Sequence, residues 1–164
     1  MAYYIDLSPC DYFDVRAEVA GTRQKPETIP EIKWAHRLRA VGWLDGTHPF
    51  PRGTVPAAVQ AKLGELIRNY WEPCHFFGWH TCELCSSGEE GSSLRGIKNI
   101  FVPGDGFLYV APEMILHYID RHAYLPPLEF HDAVCACPLP RSPSYLEAVK
   151  AIVPREVFDV FGED

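Results

Sequence analysis

No run of Lys and Arg occurs anywhere in these 164 residues; the densest basic stretch, 33–39, holds only Lys33, Arg37 and Arg39 beside His36. With a formal charge of −7 the chain lacks the basic stripe that counterion release from a phosphate backbone requires. Nucleic acid is therefore not an expected partner. Equally missing is any stretch near the roughly 20 apolar residues of a membrane span, and no membrane association is expected. The opening Met1-Ala2-Tyr3-Tyr4-Ile5-Asp6 has neither a basic n-region nor an apolar h-region, so it does not read as a signal peptide. The six cysteines would suit disulfides in an exported protein, but nothing here points to export. They read as ligands and buried thiols in a reducing compartment, and the expected location is the cytoplasm.

Common catalytic signatures are missing too. H-E-x-x-H, G-x-S-x-G, the Walker loop and the Rossmann glycines do not occur. The zinc-deaminase pattern fails because Pro73-Cys74 has no second Cys in register and Glu83 does not follow His80 by two. A ββα-metal nuclease would carry a histidine on its hairpin, and 97–110 has none. Asp45-Gly46-Thr47-His48 is the best remaining acid–histidine pairing, with Asp45 able to orient His48 as a base. No nucleophile can be named beside it, so a loop histidine packed near Pro49 and Phe50 is favoured. Whether the protein is an enzyme stays open at this point, leaning to no.

Repeats, heptads and an interdomain linker are likewise missing, and an apolar share of 47 % excludes wholesale disorder. The expectation is one α+β domain over 1–164, large enough to bury a core. Residues 2–5 read as a β-type run before a turn at Pro9. The polar, proline-bearing 21–30 and the Gly/Pro-rich 46–56 read as loops. Val59, Leu63, Leu66, Ile67 and Tyr70 recur at helical spacing between Pro56 and Pro73. The serine- and glycine-rich 86–93 reads as mobile. Residues 97–102 and 107–110 flank Pro103-Gly104-Asp105-Gly106 as a hairpin. Pro112 and Glu113 suit the first turn of a helix carrying Met114, Ile115, Tyr118 and Ile119. Further helices are predicted after Pro127 and, from a Ser144–Glu147 capping box, up to Pro154.

What stands out against these absences is Cys82-x-x-Cys85 followed by His117-x4-His122. Thiolate and imidazole are the ligands Zn²⁺ prefers, and such a set closes a tetrahedral site with no open position. The order knuckle, hairpin, helix is that of a treble-clef-like module. His117 and His122 lie roughly 140° apart on an ideal helix; to share a metal the helix must tighten or end between them. His80, in His80-x-Cys82-x2-Cys85, is the rival fourth ligand. Cys74 and His75 are weaker candidates, and Cys135 and Cys137 read as packed thiols. A redox use of the dithiol is disfavoured, because Ser86, Ser87 and Gly88 follow where a helix N-terminus would lower the thiol pKa. Trp71, Phe76, Phe77 and Trp79 precede the knuckle as a core over the metal or as a partner-binding anchor, with the core favoured.

The chain resembles a group of small uncharacterised bacterial proteins. The likeness rests on Tyr3-Tyr4-x-Asp6-Leu7-Ser8-Pro9 with Tyr12, on Val41-Gly42-Trp43-Leu44-Asp45, and on His48-Pro49-Phe50-Pro51-x-Gly53-x-Val55-Pro56. It continues through Gly78-x-His80-x-Cys82-x2-Cys85, Val102-Pro103-Gly104 and Ala111-Pro112 to Ile115-x-His117-Tyr118-x3-His122-x-Tyr124-x-Pro126-Pro127-x-Glu129-Phe130. The resemblance implies that His80, Cys82, Cys85, His117 and His122 form one recurrent pattern, four of them around a metal. Cys10 departs from the Tyr usual there, 15–38 reads as an insertion, and 138–164 is a helical extension outside the likeness. The expected function is a cytoplasmic zinc protein with a structural site that binds a protein partner, possessing a basic surface, as an immunity or accessory protein does. The alternative is a metal-dependent enzyme with a partly open zinc site.

Overall fold

A computed structural model of the chain describes residues 2–16, 31–71, 79–85 and 94–157. At its centre lies a three-stranded sheet of β3 (Leu38–Ala40), β7 (Leu108–Pro112) and β6 (Asn99–Pro103) in the order β3-β7-β6. β6 and β7 form the antiparallel hairpin, with Phe101 opposite Val110, while β3 runs parallel to β7. Every residue of β7 is buried. That is the expected state of a central strand covered on both faces, and it explains an unbroken apolar run in place of alternation. Gly106 takes φ +77° in the connecting turn, which an L side chain resists.

Two short ribbons flank the sheet. β1 (Val15–Arg16) pairs antiparallel with β2 (Glu31–Ile32), and β4 (His80–Thr81) pairs with β5 (Arg95–Gly96). Beyond the first ribbon, Asp14 accepts the backbone N–H groups of Trp34 and Ala35 and fixes the chain's return into the core. Trp34 and Leu38 are fully buried there, so the end of the 15–38 stretch contributes core residues.

Helices α1 (Ala57–Arg68), α3 (Leu128–Ala136) and α4 (Pro143–Lys150) pack on β6 and, for α1 and α3, on each other. α1 buries Val59, Leu63 and Leu66, one stripe at helical spacing. It ends well before Pro73, because Asn69 folds its side-chain amide back onto the Glu65 carbonyl. In α4 the cap is Ser142, whose hydroxyl accepts the Tyr145 N–H ahead of Pro143, not the Ser144–Glu147 box. The Tyr145 hydroxyl then donates 2.7 Å to the Phe101 carbonyl, pinning α4 to β6. Trp34, Trp71 and Phe101 fill the space beneath, Trp34 and Phe101 stacking at 6.4 Å. Val157 is buried, while residues 158–164 and the 86–93 segment lie outside the described residues.

The N-terminal 2–5 run is extended but joins no strand ladder. It lies along 40–43 through Tyr4 N–H to the Trp43 carbonyl and Leu7 N–H to the Ala40 carbonyl. Pro112 differs as well: it closes β7 instead of opening a helix, and α2 (Ile115–His122) starts three residues later. The Glu113 carboxylate is occupied by the N–H groups of Ile97 and Lys98, tying β5's end to the start of α2. The whole is a helix-plus-small-sheet α+β arrangement with a cysteine–histidine cluster at the meeting of the β4–β5 ribbon and α2.

Candidate metal centre

The ribbon β4–β5 holds the knuckle at its base: Thr81 pairs with Arg95, and Cys82 follows directly. Gly96 lets this ribbon press on α2, since a Cβ there would meet the side chains of Glu113 and Met114 at 2.9 Å. From α2, Ile115, Tyr118 and Ile119 face the core. His117 and His122 project toward the knuckle.

The ligand atoms of Cys82, Cys85, His117 and His122 all lie within 4.8 Å of one another. Cys82 Sγ is 3.3 Å from His122 Nε2, and Cys85 Sγ is 3.4 Å from the Nε2 atoms of both histidines. These four residues can hold a metal ion. Their burial alternates between buried and half-buried, so the cluster sits just beneath the surface. Burial pulls the His117 pKa below its ordinary value, and the neighbouring His122 and Arg121 add to the effect. The imidazole is thereby kept neutral, the form that ligates a metal.

How two histidines five positions apart converge is visible in the last turn of α2. Past His122, Ala123 takes a left-handed conformation and the helix is capped: the N–H groups of Ala123 and Tyr124, five and six residues on, both reach the Tyr118 carbonyl. The helix neither tightens nor ends between the histidines, as the spacing suggests it must. It stays α-helical through His122 and closes just past it, and the two rings stand 5.1 Å apart.

His80 takes another place. It is half-buried in the aromatic cluster, its ring 6.3 Å from Tyr12 and 6.2 Å from Trp43, and it is not among the residues whose ligand atoms come together. Burial lowers its pKa as well. Cys74 and His75 lie outside the described residues, as do Phe76 and Phe77. Their neighbours divide between the two readings: Trp71 is buried and Trp79 is 65 % exposed. Cys137 is buried, with its thiol pushed up to about 12 by desolvation, whereas Cys135 is exposed. Asp45 and His48 do bond, Nδ1 to carboxylate at 3.0 Å, and the His48 ring stacks on Tyr3 at 3.8 Å.

Three supporting carboxylates escape sequence reasoning because their partners are remote in the chain. Glu113 anchors β5, and Glu83, inside the knuckle, accepts the Gly46 N–H at 3.4 Å. Asp6 accepts the Gly42 N–H at 2.9 Å and the Tyr124 hydroxyl at 2.8 Å, locking the residue that closes the last turn of α2.

No helix among the described residues is long and apolar enough to cross a membrane. Neither a curated protein nor a solved structure gives a match to this chain. One family model does, over residues 2–135, a range that runs through 15–38, contains all four converging cysteines and histidines and stops short of α4. The chain therefore belongs to the family described as a domain of unknown function (DUF7919).

Proposed function

We propose that Cys82, Cys85, His117 and His122 bind one Zn²⁺ ion as a structural centre, and that the protein held in shape by it works by binding a protein partner. The carrying observation is the convergence of two sulfurs and two imidazole nitrogens on one point. Zinc bonds of about 2.3 Å to sulfur and 2.05 Å to nitrogen at tetrahedral angles put S and N about 3.6 Å apart. The three S···N separations of 3.3–3.4 Å fall just inside that value, so loading requires movements of only a few tenths of an ångström along these edges. The donor set is soft and closed, which favours zinc over oxygen-seeking cations and structure over chemistry.

The charge of −7 supports a partner with a basic face, with which electrostatic complementarity would speed association. An immunity or accessory protein of the cytoplasm fits that description. Capture from the native host should return a specific basic protein; a capture no different from a charge-matched control would contradict it.

A second reading, a metal-dependent enzyme with a partly open site, draws on one observation. His117 lines an open cavity of about 510 Å³ with Gln60, Leu94, Leu116, Asp120 and Arg121. Cobalt substitution separates the two: a closed tetrahedral spectrum indifferent to added anions is expected, and anion-sensitive bands would favour the enzyme. On the structural reading, Cys82→Ser or Cys85→Ser loses the ion and several kcal/mol of stability, because metal affinity is folding free energy. His80→Ala keeps one equivalent of zinc.

A further inference from the structure

A cavity of about 150 Å³ lies between the N-terminal segment and the loop after Leu44, lined by Tyr3, Tyr4, Leu44, Pro49 and Phe50 together with Asp6. It is well below the roughly 300–1,000 Å³ of sites that take drug-sized ligands, so its size suits the end of a side chain. Three of its walls are aromatic. The one ionisable acidic or basic residue in the lining is Asp6, whose part-buried carboxylate accepts, among the described residues, only Gly42 N–H and Tyr124 O–H. Two donors leave part of a carboxylate's acceptor capacity unused. Among the described residues no cation pairs with Asp6, and desolvation raises its pKa, the mark of a charge short of compensation. Phe50 already serves as a seat for positive charge: the exposed Arg52, which does not line the cavity, places its guanidinium 5.0 Å from the ring centroid.

Aromatic faces around an uncompensated carboxylate attract organic cations, through the ring quadrupole and through direct charge. We propose that this cavity seats the cationic end of an arginine or lysine side chain presented by a basic protein partner. The Asp45–His48 pair stands at its edge, since Tyr3 both stacks on His48 and lines the cavity. Glu83 ties the same loop to the zinc knuckle through Gly46, so the metal centre helps shape one wall. The inference rests on the partner-binding reading for the source of the cation and on nothing else in it.

The test titrates the zinc-loaded, isotope-labelled full chain with N-acetyl-arginine amide, N-acetyl-lysine amide and neutral N-acetyl-norleucine amide, followed by NMR. Saturable shifts are expected at residues 3–6 and 44–51 for at least one cation, with norleucine about tenfold weaker. Phe50→Leu, which keeps apolar bulk and removes the ring, should weaken the cation severalfold and leave norleucine unchanged; if that variant does not fold, Tyr3→Leu supplies the same comparison. Equal binding of norleucine, shifts mapping elsewhere, or no saturable shift would overturn the proposal. Zinc assayed on the same sample keeps the two readings apart: a cavity that ignores cations while zinc stays at one equivalent sinks this inference alone.

Discussion

Ala123 holds φ at +53°, a left-handed conformation that costs a non-glycine residue roughly 1–2 kcal/mol. It sits between His122 of the cysteine–histidine cluster and Tyr124, whose hydroxyl is locked by Asp6. Ala123→Gly relieves that strain and loosens the unfolded chain at the same time, so the net expectation is a gain of about 0.5–1 kcal/mol. Thermal melting should show a rise of a few degrees, and a fall would mean that Ala123 makes a contact worth more than its strain. His131 offers a residue-scale test of another kind. It is buried on α3, and among the described residues its Nε2 has no hydrogen-bond partner. Desolvation holds its pKa below the ordinary value, with Asp132 opposing weakly. The native state therefore takes up fewer protons than the unfolded chain as pH falls below about 6.5. The stability it leaves intact at higher pH is lost through that window. His131→Leu should shrink the drop in melting temperature between about pH 7.5 and pH 5.5. An unchanged drop would show that His131 is not a source of acid sensitivity.

At the scale of elements, α2 is the weak member and depends on what holds its two ends. Eight residues are too few for a helix to persist alone, since nucleation costs more than so short a run of hydrogen bonds returns. Its start is held by Glu113 against Ile97 and Lys98, its end by the cysteine–histidine cluster and the Asp6–Tyr124 bond. Gly96→Ala would place a Cβ 2.9 Å from Glu113 and Met114 and push the knuckle ribbon off α2. Zinc affinity and melting temperature should fall together, by about 1–3 kcal/mol for the overpacked contact; lost stability at unchanged affinity would mean the ribbon and helix are not coupled through this contact.

These elements also show what the sequence discloses and what it conceals. α1 and the 99–112 hairpin are legible because periodicity and turn glycines are local signals. The four residues of the cysteine–histidine cluster are legible because their short spacings are of the kind metal sites reuse. Pro112 and Glu113 mislead because a proline suits a strand end as well as a helix start, and only tertiary pairing with Lys98 decides. The cap of α2 is accompanied by the bond from the Tyr124 hydroxyl to Asp6, more than a hundred residues away, which leaves no local trace. That His80 stands among Tyr12 and Trp43, apart from the cysteine–histidine cluster, is a packing fact that a single sequence does not carry.

For the whole molecule, the acidic charge, the family range ending at residue 135 and the position of the cluster converge on one picture. In the proposed site an ion would join a ribbon to a helix, each of which fastens to the N-terminal and 44–51 segments through Glu83 and Asp6. Removing it should loosen that entire side while the β6–β7 hairpin and the Trp34–Phe101 core persist longer. The account stands most directly on elemental analysis of the natively purified chain, paired with melting before and after a strong chelator. One zinc per chain, and a melting temperature lowered by chelation and restored by zinc, is the predicted result. A metal-free preparation that melts at the same temperature with or without chelator would contradict it.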